Sequence, residues 1–142
     1  MLYLGCHLSA SGGNMAMVET ASRIGANTFA FFTRNPRGSK AKPEDPADCA
    51  AAVAALKERQ FGPLVAHGSY TMNLCTADAE ARAFAAQILC DDLRRMAALP
   101  GNFYNFHPGS HVGQGADTGI AQIADALKAA LAPGYPVTVL LE

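Results

Sequence analysis

The chain alternates short, nearly continuous apolar runs with longer stretches of helical periodicity. The runs predict strands at Leu2–Leu8, Thr28–Thr33, Leu64–Ala66, Phe103–Phe106 and Val137–Leu141. Aromatic and β-branched residues dominate them, as in TFAFFT and VTVLL, and such side chains fit a pleated surface. None alternates strictly between apolar and polar, which is the pattern of parallel strands covered on their faces.

Between these runs the apolar spacing changes to three and four. A first helix is predicted over Met15–Ile24, after the Gly12-Gly13 turn. The second opens at Asp45-Pro46, an N-cap followed by a proline whose missing N–H costs nothing in a first turn. It runs to about Gln60 and stops at Gly62-Pro63. The third begins after Thr76, with Asp78 and Glu80 complementing the helix dipole. Its Leu89, Leu93 and Met96 share one face, and Pro100-Gly101 ends it. The fourth carries Ile120, Ile123, Leu127 and Leu131 on one stripe and stops at Pro133-Gly134.

The order is thus β-α-β-α-β-α-β-α-β, which implies parallel strands joined by right-handed crossovers. Both a doubly wound sheet and part of a (β/α)8 barrel satisfy it. No G-x-G-x-x-G follows the first strand, which counts against the dinucleotide-binding version of the former. A full barrel needs roughly 250 residues, so 142 residues with five strands amount to a little over half of one. The expected fold class is α/β: a single domain over 1–142, a partial (β/α)8 TIM barrel of about five βα units ending at strand five.

Composition narrows the class without naming a function. Half the residues are hydrophobic and 16% are charged, the makeup of a globular chain rather than a disordered one. No apolar run reaches the roughly 18 residues of a membrane span, and no basic-then-apolar leader is present. The four cysteines, Cys6, Cys49, Cys75 and Cys90, form no C-x-x-C pair. They are expected to be free thiols in a reducing cytoplasm. A net charge of −1 lacks the basic footprint of most nucleic-acid binders, so any such binding must come from a local patch or from shape.

The chemistry gathers where strands end. His7, His67 and His107 lie at the ends of strands one, three and four, and Glu142 at the end of strand five. Catalytic groups of β/α folds collect at this rim, and imidazoles with a carboxylate are what zinc prefers. A lone histidine beside a strand is more often a hydrogen-bonded structural residue; recurrence at equivalent strand ends argues for a metal site. His111, in the loop after Pro108-Gly109-Ser110, reads either as a residue orienting a ligand or as an exposed loop histidine. The segment from Arg34 to Lys42 carries Arg34, Arg37, Lys40 and Lys42, either for phosphate contact or as a solvated loop. Tyr70 either stacks on a base or wedges into a duplex, or is an ordinary half-buried tyrosine. Cys6 and His7 point to opposite faces of a strand and do not form a nucleophile pair. Cys75, eight residues past His67, is poorly placed as a soft ligand.

Five blocks then carry a resemblance. They are Gly5-Cys6-His7-Leu8-Ser9-Ala10-Ser11-Gly12-Gly13, Phe32-Thr33-Arg34-Asn35-Pro36-Arg37, His67-Gly68-Ser69-Tyr70, Asn105-Phe106-His107-Pro108-Gly109-Ser110-His111 and Leu140-Leu141-Glu142. In register from Met1 to Glu142, the chain resembles the N-terminal half of the endonuclease IV family of abasic-site endonucleases. The resemblance implies a xylose-isomerase-like (β/α)8 barrel with three zincs at the strand ends. It implies hydrolysis of duplex DNA 5′ to an abasic site in base excision repair, leaving a 3′-hydroxyl. His67 and His107 would bind the first zinc. Glu142 would bridge it to a second and help position the nucleophile, as the catalytic carboxylate. Arg37 and Tyr70 would enter the DNA at the lesion. Thr71 stands where some members carry a bulkier apolar wedge. His7 would line the active-site floor, with no ligand role carried over, and His111 would line the site as well. An abasic nucleotide has no base pair to break, so extruding it costs less than flipping a normal one.

The family's other ligands follow the position of Glu142. The expectation is therefore a truncated chain, supplying at most one zinc site, inactive alone, with exposed barrel edges that invite association. Two rivals stand beside this reading: a sugar isomerase or epimerase on the same barrel, which would not need Arg37 and Tyr70, and a non-catalytic zinc- or DNA-binding fragment.

Overall fold

Five parallel strands lie in strict sequential order in one sheet, β1 (His7–Leu8), β2 (Ala30–Phe32), β3 (Val65–His67), β4 (Asn102–Phe106) and β5 (Val137–Leu141). Helices α1 (Asn14–Arg23), α2 (Pro46–Glu58), α3 (Ala79–Met96) and α4 (Ala116–Leu131) connect them in turn. The structure is a computed structural model describing residues 1–142. A doubly wound sheet must reverse its strand order at a switch point. This sheet never does, so its architecture is that of the opening units of a barrel.

Unreversed order with crossovers of one hand puts every helix on one face, and burial follows. Phe31, Ala66 and Tyr104 stand in register across β2, β3 and β4, each 4% exposed or less. They join one cluster with Met17, Val18 and Ala21 of α1, Ala52 and Ala55 of α2, and Ile88, Leu89 and Leu93 of α3. On the other face, Phe32, His67, Asn105 and Leu140 form the register row, and none is fully buried. The expectation of strands covered on both faces is therefore corrected: β4 alternates buried and half-buried along its length.

The first strand is shorter than the apolar run predicts. Leu4 N–H donates to Asn27 Oδ1 at 2.7 Å, and Asn27 N–H donates to the Leu4 carbonyl at 3.0 Å. This side-chain clasp replaces ladder pairing, and Leu2 and Leu4 remain exposed. The third strand begins and ends one residue later than predicted, because Leu64 N–H is taken by Asn102 Oδ1 at 2.7 Å. The helix starts obey local chemistry. Asp45 caps α2 through Ala47 N and Asp48 N, and Asp78 caps α3 through Glu80 N and Ala81 N. All four cysteines are free. No helix is long and apolar enough to cross a membrane.

Candidate metal and nucleic-acid site

His67 is the last residue of β3, while His107 and Glu142 directly follow β4 and β5. Phe106 pairs with Leu141, so the next residues, His107 and Glu142, leave the sheet side by side. One ligand atom from each of His67, His107 and Glu142 lies within 4.8 Å of the others. Parallel register alone thus converges three residues that are 40, 35 and 75 positions apart in sequence.

The hydrogen bonding of His67 fixes its tautomer. Nδ1 lies 2.7 Å from the Gly68 carbonyl, which can only accept, so Nδ1 carries the proton. Nε2 is left facing Glu142 Oε2 at 3.2 Å. Across that gap the ring donates to Glu142 when Nε2 also carries a proton, and a cation between the two acceptors takes that place when it does not. Asn105 Nδ2 donates to the same Oε2 at 2.5 Å. The hydrogen bond from His67, and then that from Asn105, hold the Glu142 carboxyl below the usual carboxylate range. Two imidazoles and a carboxylate with this spacing fit zinc, which takes three protein ligands in open sites.

Aromatic rings surround the cluster. Tyr70 is exposed, with its ring centroid 5.5 Å from His67, 5.8 Å from His107 and 5.2 Å from Phe32. The His7 ring lies 4.6 Å from Phe32. Burial first, and then the proximity of His67, push the His7 pKa below its ordinary value, which favours a neutral imidazole. Arg37 is exposed, and its only hydrogen bond is through its backbone, to Asn35 Oδ1. The Pro36 carbonyl accepts from Tyr70 N–H at 2.9 Å and from Ser69 Oγ at 3.1 Å. The loops bearing Arg37 and Tyr70 are thereby stapled to each other. His111 lies apart from the clustered ligand atoms: it packs against Gly119 of α4, and its Nδ1 is buried without a partner.

The basic loop is not a uniform phosphate surface. Arg34 is buried and spends its guanidinium internally. Nε and Nη2 donate to Asp92 Oδ1 at 2.9 and 2.6 Å, Nη2 reaches Asp91 at 2.8 Å, and Nη1 donates to the Ser39 carbonyl at 2.6 Å. Asp92 has no solvent exposure, and its Oδ2 accepts from Thr33 at 2.8 Å and from Tyr104 at 2.7 Å. Burial, reinforced by Asp92, pushes the Tyr104 phenol far up, so it acts as a fixed donor. Lys42 Nζ donates to the Ser11 carbonyl. Arg37 and Lys40 are left as the exposed cations of the loop whose side chains make no hydrogen bond, while Lys42 is exposed but engaged. Asp92 belongs to no motif, yet it falls on the apolar Leu89–Leu93–Met96 stripe, where a carboxylate must have a partner, and that was the signal in the sequence.

Comparisons with known proteins agree with this geometry. Residues 18–142 match the family model described as xylose isomerase-like TIM barrel. The chain is 54% identical over 142 residues to a probable endonuclease 4 of Akkermansia muciniphila, covering 100% of this chain and 51% of that protein. It is 43% identical over 145 residues to a probable endonuclease 4 of Bifidobacterium longum, covering 99% and 51%. The crystal structure of endonuclease IV from Thermus thermophilus superposes with a TM-score of 0.78 at 31% identity, over 99% of this chain and 51% of that one. A D-psicose 3-epimerase superposes with a TM-score of 0.67 at 16% identity, a likeness of fold alone. The chain spans about half the length of the curated relatives it matches. In profile, register and site geometry alike, the chain belongs to the xylose isomerase-like TIM barrel family and counts endonuclease IV proteins among its relatives.

Proposed function

We propose that this chain carries the first zinc site and the lesion-contacting loops of an abasic-site endonuclease of base excision repair. The observation that carries the reading is the His67–His107–Glu142 cluster, with ligand atoms within 4.8 Å, set directly against the exposed ring of Tyr70. His67 and His107 would hold the metal through imidazole nitrogens, and Glu142 would add a carboxylate oxygen. A bound zinc would supply Lewis acidity toward a backbone phosphate and lower the pKa of a water molecule. Arg37 offers an unpaired guanidinium to duplex DNA, and Tyr70 offers a flat apolar face where a base is missing. Recognition then rests on how easily a lesion deforms, in keeping with a chain whose net charge is only −1. The free thiols suit a reducing cytoplasm. A sugar-epimerase reading has only the likeness of fold behind it.

Three protein donors serve one zinc, so the 142-residue chain is expected not to incise DNA alone. The test is zinc titration of the purified chain together with incision of a duplex containing one abasic site, with EDTA and His67→Ala as controls. Stoichiometric zinc binding lost in His67→Ala, with abasic duplex bound but uncut, supports the reading. Metal-dependent incision lost in the same variant would establish the activity and overturn the insufficiency of this chain. Absence of any zinc binding would sink the metal-site assignment.

A further inference from the structure

Asn105 lies in the middle of the register row that faces away from the helices, between His67 on β3 and Leu140 on β5. Its amide reaches past Leu140 to the residue that follows β5, and Nδ2 donates to Glu142 Oε2 at 2.5 Å. A carboxylate only accepts, so the bond settles the amide's orientation: the NH2 group, not the oxygen, faces Glu142. We infer that Asn105 is a positioning residue that sets the rotation of the Glu142 carboxylate toward His67 and His107. The inference rests on the metal-site reading above.

Three observations carry it. Glu142 is more than half exposed as a side chain, so packing does not hold it. Its only other partner is His67, whose Nε2 would turn to a metal once one is bound. Asn105 would then be the remaining protein group that restrains the carboxylate. The donor is also neutral. A lysine or arginine in its place would cancel the charge of Glu142 and repel a cation, whereas an amide orients the carboxylate and leaves its charge intact. Because both His67 and Asn105 engage Oε2, Oε1 is left without a hydrogen-bond partner in the protein. Hydrogen bonds to a ligating carboxylate are the kind of support whose loss weakens metal affinity about 10–100-fold.

The test uses cobalt(II) chloride as the probe, titrated into the full chain and followed by its visible d–d absorption. Asn105→Leu keeps the branched shape of the side chain and removes the donor, and Asn105→Gln restores an amide one carbon further out. The expected result is roughly 10–100-fold weaker cobalt binding for Asn105→Leu, with weaker and shifted bands reporting a loosened coordination geometry. Partial recovery is expected for Asn105→Gln, and the metal-free unfolding midpoints of both variants are expected to match that of the wild type. If wild-type chain binds cobalt and Asn105→Leu binds it equally well with an unchanged spectrum, the positioning role is overturned while the metal site stands. If wild-type chain binds no cobalt, both fall together. If Asn105→Leu lowers the metal-free midpoint and Asn105→Gln restores that midpoint without restoring affinity, the residue is structural and the inference is overturned.

Discussion

Replacing Arg34 with methionine would leave a buried carboxylate facing an apolar side chain. Asp92 has no exposed surface, and its Oδ1 accepts only from Arg34, at 2.9 and 2.6 Å. Its Oδ2 keeps the bonds from Thr33 and Tyr104. Removing one partner of a buried pair costs about 3–5 kcal/mol, because the surviving charge keeps its desolvation penalty without its counter-charge. The intact Oδ2 side places the expected loss at the low end, near ~3 kcal/mol. Against a total stability of roughly 5–15 kcal/mol for a domain, that is a large fraction. Urea unfolding followed by circular dichroism would show it as a lowered midpoint with an unchanged slope. The second variant, Arg34→Met with Asp92→Asn, removes the orphaned charge while the new amide oxygen still accepts from Thr33 and Tyr104. It should recover more than half of the loss. A cost below ~1 kcal/mol for Arg34→Met, the level of an exposed pair, would refute the reasoning. So would a double variant no more stable than the single one.

Three further outcomes follow from the same structure. Asp45 accepts from two orphan N–H groups at the start of α2, so Asp45→Ala should lower stability by about 1 kcal/mol in the same assay. Gly109 has φ +119, and a Cβ there would collide with Asn73 Oδ1 and stand 2.9 Å from Asn73 Cα. Gly109→Ala should therefore cost about 1–3 kcal/mol and speed hydrogen exchange at Cys75 and Ser110, whose N–H groups Asn73 Oδ1 receives. Burial pushes Asp91 up, but hydrogen bonds from Arg95, Arg94 and Arg34 outweigh it and hold its pKa well below the ordinary 3.8. A carboxylate depressed in the folded state stabilises above its unfolded pKa, so this contribution is present at neutral pH and lost as pH falls below about 4. Wild-type stability should thus decline through that acid range, and the decline should be shallower in Asp91→Asn, as read from unfolding midpoints between about pH 6 and pH 3.

Much of the fold is legible locally. The Asp45-Pro46 and Asp78 starts, the Gly and Pro stops and the five apolar runs each report a preference that neighbouring residues impose on themselves, and four of the five strands appear within a residue or two of those runs. The exception is the first, where Leu2 and Leu4 read as strand but are clasped to Asn27, a residue more than twenty positions away. Periodicity contains no information about such a clasp. The site was legible in kind: histidines and a glutamate recur at strand ends because β/α units repeat.

What the sequence determined by itself was the alternation of elements, the polarity of each strand end and the set of residue types available for chemistry there. Whether those residues meet was decided by tertiary structure. The sequential strand order and the Phe106–Leu141 pairing bring His107 beside Glu142, and a register slip of one residue would turn His67 to the helix-covered face. The same holds for the basic loop. Arg34 and Arg37 look alike in sequence, three positions apart, yet one is buried against Asp92 and the other stands free. That difference exists only because α3 lays a carboxylate under β2, and a buried charge accepts no partner but an opposite one held at contact distance.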